Sequence, residues 1–199
     1  GFVAKLAALL GLQAILMLVV LVCGVGVQLA QGYTQVDLPH WLFELFAMQL
    51  SGFFLIAVLA LTIHTLVNNK YVGHFVVLLL FLVNSRLPDF GFEDRLYRFA
   101  SRPDIVYSDL NGYGHFLPAV FWFRLYWGAF AVLLLVLAYA WWVRGRDGGW
   151  RGRARVAASR MTRAPWAIAG TAGAVFVATG GWIHHNTHVV NTYLSRNEG

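Results

Sequence analysis

Long unbroken apolar runs alternate with short polar stretches along this chain, and the runs have lengths that a bilayer demands. A spanning helix needs about 20 mainly apolar residues, within a range of about 17–25. Leu6–Ala30 qualifies, interrupted only by Gln13 and Gln28. Leu42–Leu66 qualifies despite Glu44, Gln49 and His64. Ala119–Val143 qualifies with Arg124 in its first third. Pro165–Trp182 is rich in small residues, and its proline suits a helix start. Tyr71–Ser85 is marginal, since about 15 residues at about 1.5 Å each cover only about 22 Å of a roughly 30 Å core. With no repeat and no low-complexity linker, the pattern predicts one all-α domain, a polytopic transmembrane helix bundle over residues 1–199. Its spans are expected at about 6–30, 42–66, 71–87, 119–143 and 165–184.

Charge orients the spans. The stretch "RGRDGGWRGRARVAASRMTR" (144–163) holds seven Arg against Asp147 alone. Cytoplasmic loops carry the Lys/Arg excess, so this loop is expected inside, together with Lys5 and Lys70. The external elements are then a long loop, 88–118, and a tail, 185–199. A re-entrant hairpin at 71–85 would put Lys70 and the Arg-rich loop on opposite sides, so this segment reads as a short true span. The N-terminus of the segment falls in the cytoplasm and the C-terminus outside. Only 12% of the residues are charged while 59% are hydrophobic, against about 25% charged in a soluble domain. The net charge of +6 lies in one membrane-flanked loop, which argues against nucleic acid. Cys23 is the single cysteine, so no internal disulfide is possible. The chain opens on Gly1 without a signal peptide, which reads as a segment cut from a longer chain.

Several groups are candidates for chemistry. Glu44 and Arg124 are intramembrane charges at similar depth near the outer interface; they snorkel separately, form an ion pair or serve a substrate path. Arg144, Arg146, Arg151, Arg153, Arg155, Arg160 and Arg163 set topology and contact anionic headgroups, with docking of a cytoplasmic ATPase as an added role. In "YSDLNGYGHF" (107–116), Asp109, Asn111, Gly112 and Gly114 are turn chemistry. Tyr107, Tyr113 and His115 complete an external cap or gate. Upstream, Phe92, Leu96 and Phe99 fall on one helical face and suit a short helix lying on the membrane. His64 and His74 lie on adjacent spans as a haem pair would. His184 and His188 are one helical turn apart, a metal-compatible spacing, but no carboxylate follows until Glu198. Both His pairs read as interfacial residues without a cofactor. The small residues Gly170, Gly173, Ala174, Ala178 and Gly180 predict a close-packed face.

The stretches "NNKYVGH" (68–74), "GFEDRLYRFAS" (91–101), "YSDLNGYGHFLPAVFWFRLYWGAF" (107–130) and "GGWIHHNTHVVNTY" (180–193) carry a resemblance across most of residues 40–193. They resemble the second membrane half of a bacterial fusion family. In that family an ABC type-2 exporter permease precedes an extracytoplasmic zinc aminopeptidase of the gluzincin kind. The resemblance implies a permease domain in the bacterial inner membrane, working with another permease half or protomer in the lipid bilayer. It also implies a peptidase beyond residue 199. No H-E-x-x-H and no G-x-x-x-x-G-K-[ST] occurs here. Zinc is therefore expected in the downstream domain, and ATP on a separate cytoplasmic subunit. No catalytic, cofactor-binding or metal residue is assigned within this segment. A structural anchor for the peptidase is the alternative function, and a His-ligated redox membrane protein is a third.

Overall fold

The computed structural model describes residues 2–67, 69–105, 112–114, 116–142 and 149–191. Among them the fold is all-α, with five helices long and apolar enough to cross a membrane. These are α1 (Phe2–Ala30), α2 (Leu38–Val67), α3 (Lys70–Phe90), α4 (Phe116–Trp141) and α6 (Arg163–Val190). A shorter helix, α5 (Trp150–Arg160), lies in the Arg-rich segment. The chain divides into two compact units, Gly1–Val58 and Leu59–Gly199, which are described separately.

In the first unit, α2 starts earlier than its apolar run. Asp37 caps it by accepting the His40 N–H at 3.1 Å, and a proline fits the first turn, where no donor is needed. Trp41 closes on α1, and a Cβ on Gly24 would lie 2.8 Å from the indole, so the glycine makes room for the ring. Gln13, a polar interruption of the first run, donates to the Phe53 carbonyl at 3.3 Å. Between Phe43 and Gln49 the helix widens to a π turn, and the Leu50 N–H bonds back to Leu45 O.

The second unit holds most of the packing. Helices α4 and α6 meet along aromatic and small residues: Tyr126 stacks on Phe176 with centroids 4.4 Å apart and planes 16° apart. A Cβ on Gly180 would lie 2.9 Å from Tyr126. The expected small-residue face is thus used in part within the chain. Ala131 and Ala138 are fully buried, and Thr62 donates to Leu134 O at 3.2 Å, tying the end of α2 to α4.

Several boundaries differ from the apolar pattern. The third span is 21 residues long, or about 31 Å at helical rise, enough to cross the core. Asn69 caps its start by accepting from Tyr71 and Val72, and a tight turn at Leu87–Phe90 extends its end. The expected loop 88–118 therefore begins at Gly91. The expected tail from 185 is helical through Val190, in a π turn. The expected loop 144–163 contains α5. Finally, 91–105 is a chain of turns in place of the expected surface helix. Asp94 captures the Leu96 N–H, Asn84 captures the Phe99 N–H, and Ala100 has φ +59°. Such side-chain bonds compete directly with helical ones.

Candidate functional site

The functional candidates gather at the two ends of the second unit. At the basic end, the seven arginines separate by role. Arg153 points inward from α5 with only 8% of its surface exposed. Its guanidinium donates to Leu66 O at 2.9 Å and to Thr65 O, and reaches Trp141 O at 3.5 Å. Those carbonyls belong to the last turns of α2 and α4, where helices leave acceptors unused and carry partial negative charge. Arg160 donates to Trp142 O and, at 3.4 Å, to Tyr139 O, so it also closes the end of α4. Trp150 packs on Trp141 at 4.5 Å. Arg151, Arg155 and Arg163 stay exposed. Arg144 and Arg146 lie outside the described residues.

At the opposite end the 91–105 segment is fastened to three helices. Asn84 on α3 holds Phe99 at both backbone groups, accepting its N–H at 2.7 Å and donating to its carbonyl at 3.3 Å. The Phe99 ring enters an aromatic cluster with Trp127 at 5.2 Å and Phe130 at 6.0 Å. Arg95 pairs with Asp104 at 2.6 Å and donates to Arg102 O, while Ser101 donates to Arg95 O. Asp94 faces His188 of α6 across 3.5 Å. Of the expected cap, Gly112 and Gly114 have φ +57° and +40°, and Tyr113 O accepts the Phe116 N–H that opens α4. Positive φ explains both glycines. Tyr107, Asp109, Asn111 and His115 lie outside the described residues.

The intramembrane charges sit in different units. Glu44 is half-buried in the π turn of α2. Arg124 is half-buried beside an open groove of about 580 Å³, lined also by Gly128, Ala129, Ala167 and Thr171. Their pairing stays an expectation of the sequence.

The histidines do form pairs. His64 and His74 meet edge to face, centroids 4.5 Å apart, with Gly73 leaving the space for the His64 ring. Axial ligands of one metal would hold it between their nitrogen tips, which an edge-to-face contact does not do. His184 and His188 stack with centroids 4.4 Å apart and planes 15° apart. Among the described residues no group of three or more His, Cys, Asp or Glu could hold a metal ion. Sequence reasoning missed the inward role of Arg153, the loop clamp of Asn84 and the approach of Asp94 to His188. Asn84 had a weak signal as a polar residue near the end of an apolar run. No family of proteins, no curated protein and no solved structure matches this chain.

Proposed function

We propose that this chain is the transmembrane permease domain of an ABC type-2 exporter-like system, with its Arg-rich end in the cytoplasm. The motif resemblance names the class. One observation supports movement over mere tethering: Arg153 ties α5 to the terminal carbonyls of both α2 and α4. A cytoplasmic subunit pressing on α5 would move two spans at once, and exposed Arg151, Arg155 and Arg163 give an acidic partner surface something to hold. A pure membrane anchor needs no such linkage.

The test is copurification from native membranes in mild detergent, with identification of any P-loop ATPase retained. The complex is then reconstituted and its ATP hydrolysis measured. A permease should retain a nucleotide-binding subunit whose hydrolysis rate depends on the membrane chain. Charge reversal at Arg151, Arg155 and Arg163 should release that subunit while leaving the helix-end contacts of Arg153 intact. A chain that retains no ATPase under any mild extraction is an anchor.

A further inference from the structure

We infer that the groove between α4 and α6 holds one acyl chain of an anionic glycerophospholipid, whose phosphate sits on Arg124 at the groove's mouth. Depth comes first. Helix α4 has 26 residues, about 39 Å at helical rise, and a roughly 30 Å core leaves about 4–5 Å over at each end. Arg124 stands eight residues past Phe116, about 12 Å along, so its Cα lies about 7–8 Å beneath the core edge. Side chains of a helix lean towards its N-terminus, which here is the nearer surface. A guanidinium on its long stem therefore reaches headgroup level. Two further features mark the same level. Trp122 and Trp182 join α4 to α6 with ring centroids 5.7 Å apart, and tryptophans collect where hydrocarbon meets headgroups. Arg102, from the 91–105 loop, is near enough for its charge to act on Arg124.

The groove continues inward from that charge. Tyr126 stacked on Phe176 holds the two helices together, and beside this contact small residues leave the space of about 580 Å³. Gly128 and Ala129 form one wall, Ala167, Thr171 and Ala172 the other. Val132 ends it on α4, eight residues from Arg124, or about 12 Å of rise. A Cβ on Gly128 would meet nothing within 4 Å, so this position opens onto the groove and not onto a packed neighbour. Ala167 and Thr171 are exposed, so the groove faces the lipid. Charge decides the occupant. An apolar partner helix would fill the space but bring nothing for the two cations. A glycerophospholipid brings both parts in the order the protein presents them, phosphate at the tryptophan level and hydrocarbon beneath. Arginine suits the phosphate because its planar fork donates two parallel bonds. Among the described residues no carboxylate pairs with Arg102, which adds its charge to the same end. Two arginines favour a headgroup of net negative charge, since a zwitterionic one sets its own cation against them.

The site does not depend on the transport reading. The test is native mass spectrometry of the purified, delipidated chain in mild detergent, titrated separately with phosphatidylglycerol and phosphatidylcholine of matched acyl chains. One phosphatidylglycerol per chain should bind, ahead of phosphatidylcholine. Excess glycerol phosphate should not displace it, because the tail holds the groove. Arg124→Gln should weaken binding at least about fivefold, the share of one basic residue near a membrane surface. Arg102→Gln should act in the same direction. Gly128→Leu fills the groove, keeps both cations and should weaken binding comparably. Arg86→Gln, which alters an exposed arginine of α3 outside the groove, should bind as the unaltered chain does. Thermal melts without added lipid separate lost binding from unfolding; should Arg124→Gln unfold, Gly128→Leu alone decides. Equal binding of the two lipids, or undiminished binding by folded Arg124→Gln, overturns the proposal. Displacement by glycerol phosphate, or undiminished binding by folded Gly128→Leu, leaves a headgroup contact without a tail site and overturns it too. A dimer that Gly128→Leu dissociates, with no lipid retained, assigns the groove to a second copy of the chain and overturns it as well.

Discussion

Removing the Arg153 guanidinium should loosen two helix ends at a distance from the mutated residue. In Arg153→Ala, Leu66 O and Thr65 O lose charged donors, and Trp141 O loses a weaker one. A hydrogen bond to a charged group contributes about 1.5–3 kcal/mol, so two such bonds give about 3–6 kcal/mol. Water can reach a helix end near the membrane surface, which offsets part of this and leaves about 2–4 kcal/mol of local stabilisation. At tenfold per 1.4 kcal/mol, amide exchange in the last turn of α2 should quicken about 30- to 700-fold, and the end of α4, which loses only the weaker bond, should quicken less. Hydrogen exchange read by mass spectrometry on peptides covering residues 60–67 and 136–142 measures this directly. Arg153→Lys keeps the charge but lacks the planar fork, and should fall between. Arg151→Ala, on the exposed face, should change exchange by less than a factor of about three. If Arg153→Ala protects those ends as well as Arg151→Ala does, the clamp is not what holds them.

Gly73→Ala should destabilise the chain by about 1–3 kcal/mol, because its methyl would strike the His64 ring; a thermal melt with Gly73→Ala in a His64→Ala background should recover most of the loss. Asn84→Ala frees both backbone groups of Phe99, costing about 1–3 kcal/mol, and limited proteolysis should cut within 91–105 faster than in the unaltered chain. For orientation, a Cys23→Ser background allows single cysteines at Arg151 and Tyr97, both exposed. In intact cells a membrane-impermeant reagent should label position 97 and spare 151; labelling at 151 would invert the topology.

The five spans were legible because a bilayer imposes length and apolarity on each one separately. The third segment, marginal by its apolar run, is read as a span from the charge of Lys70, and its helix is long enough to be one. Long-range contacts left no such trace. Helix α5 reads as a loop because its arginines depress its hydropathy, and only the alanines of "RARVAASR" hint at a helix. That Arg153 turns inward while Arg151 and Arg155 turn out depends on where α2 and α4 end. Phe92, Leu96 and Phe99 have helical spacing, yet Asn84 and Asp94 take the backbone donors a helix would need. The carboxylate that faces His188 is Asp94, far upstream in the chain, so nothing in the sequence around His188 points to it.

The fastening of the 91–105 loop sets a timetable for making this protein. Phe99 is held by Asn84, by Trp127 and by Phe130, and the loop's contact to α6 waits for His188. Ribosomes add about 5–20 residues per second, so residue 188 emerges roughly 4–18 s after residue 99. During that interval the loop has Asn84 but lacks its partner on the last span. A chain stopped before α6 therefore keeps Phe99 packed on Trp127 and Phe130 but leaves Asp94 without His188, and one stopped before α4 lacks the aromatic cover as well. A Phe99 ring left bare in a chain stopped before α4 is a feature by which a quality-control protease would tell it from a finished copy.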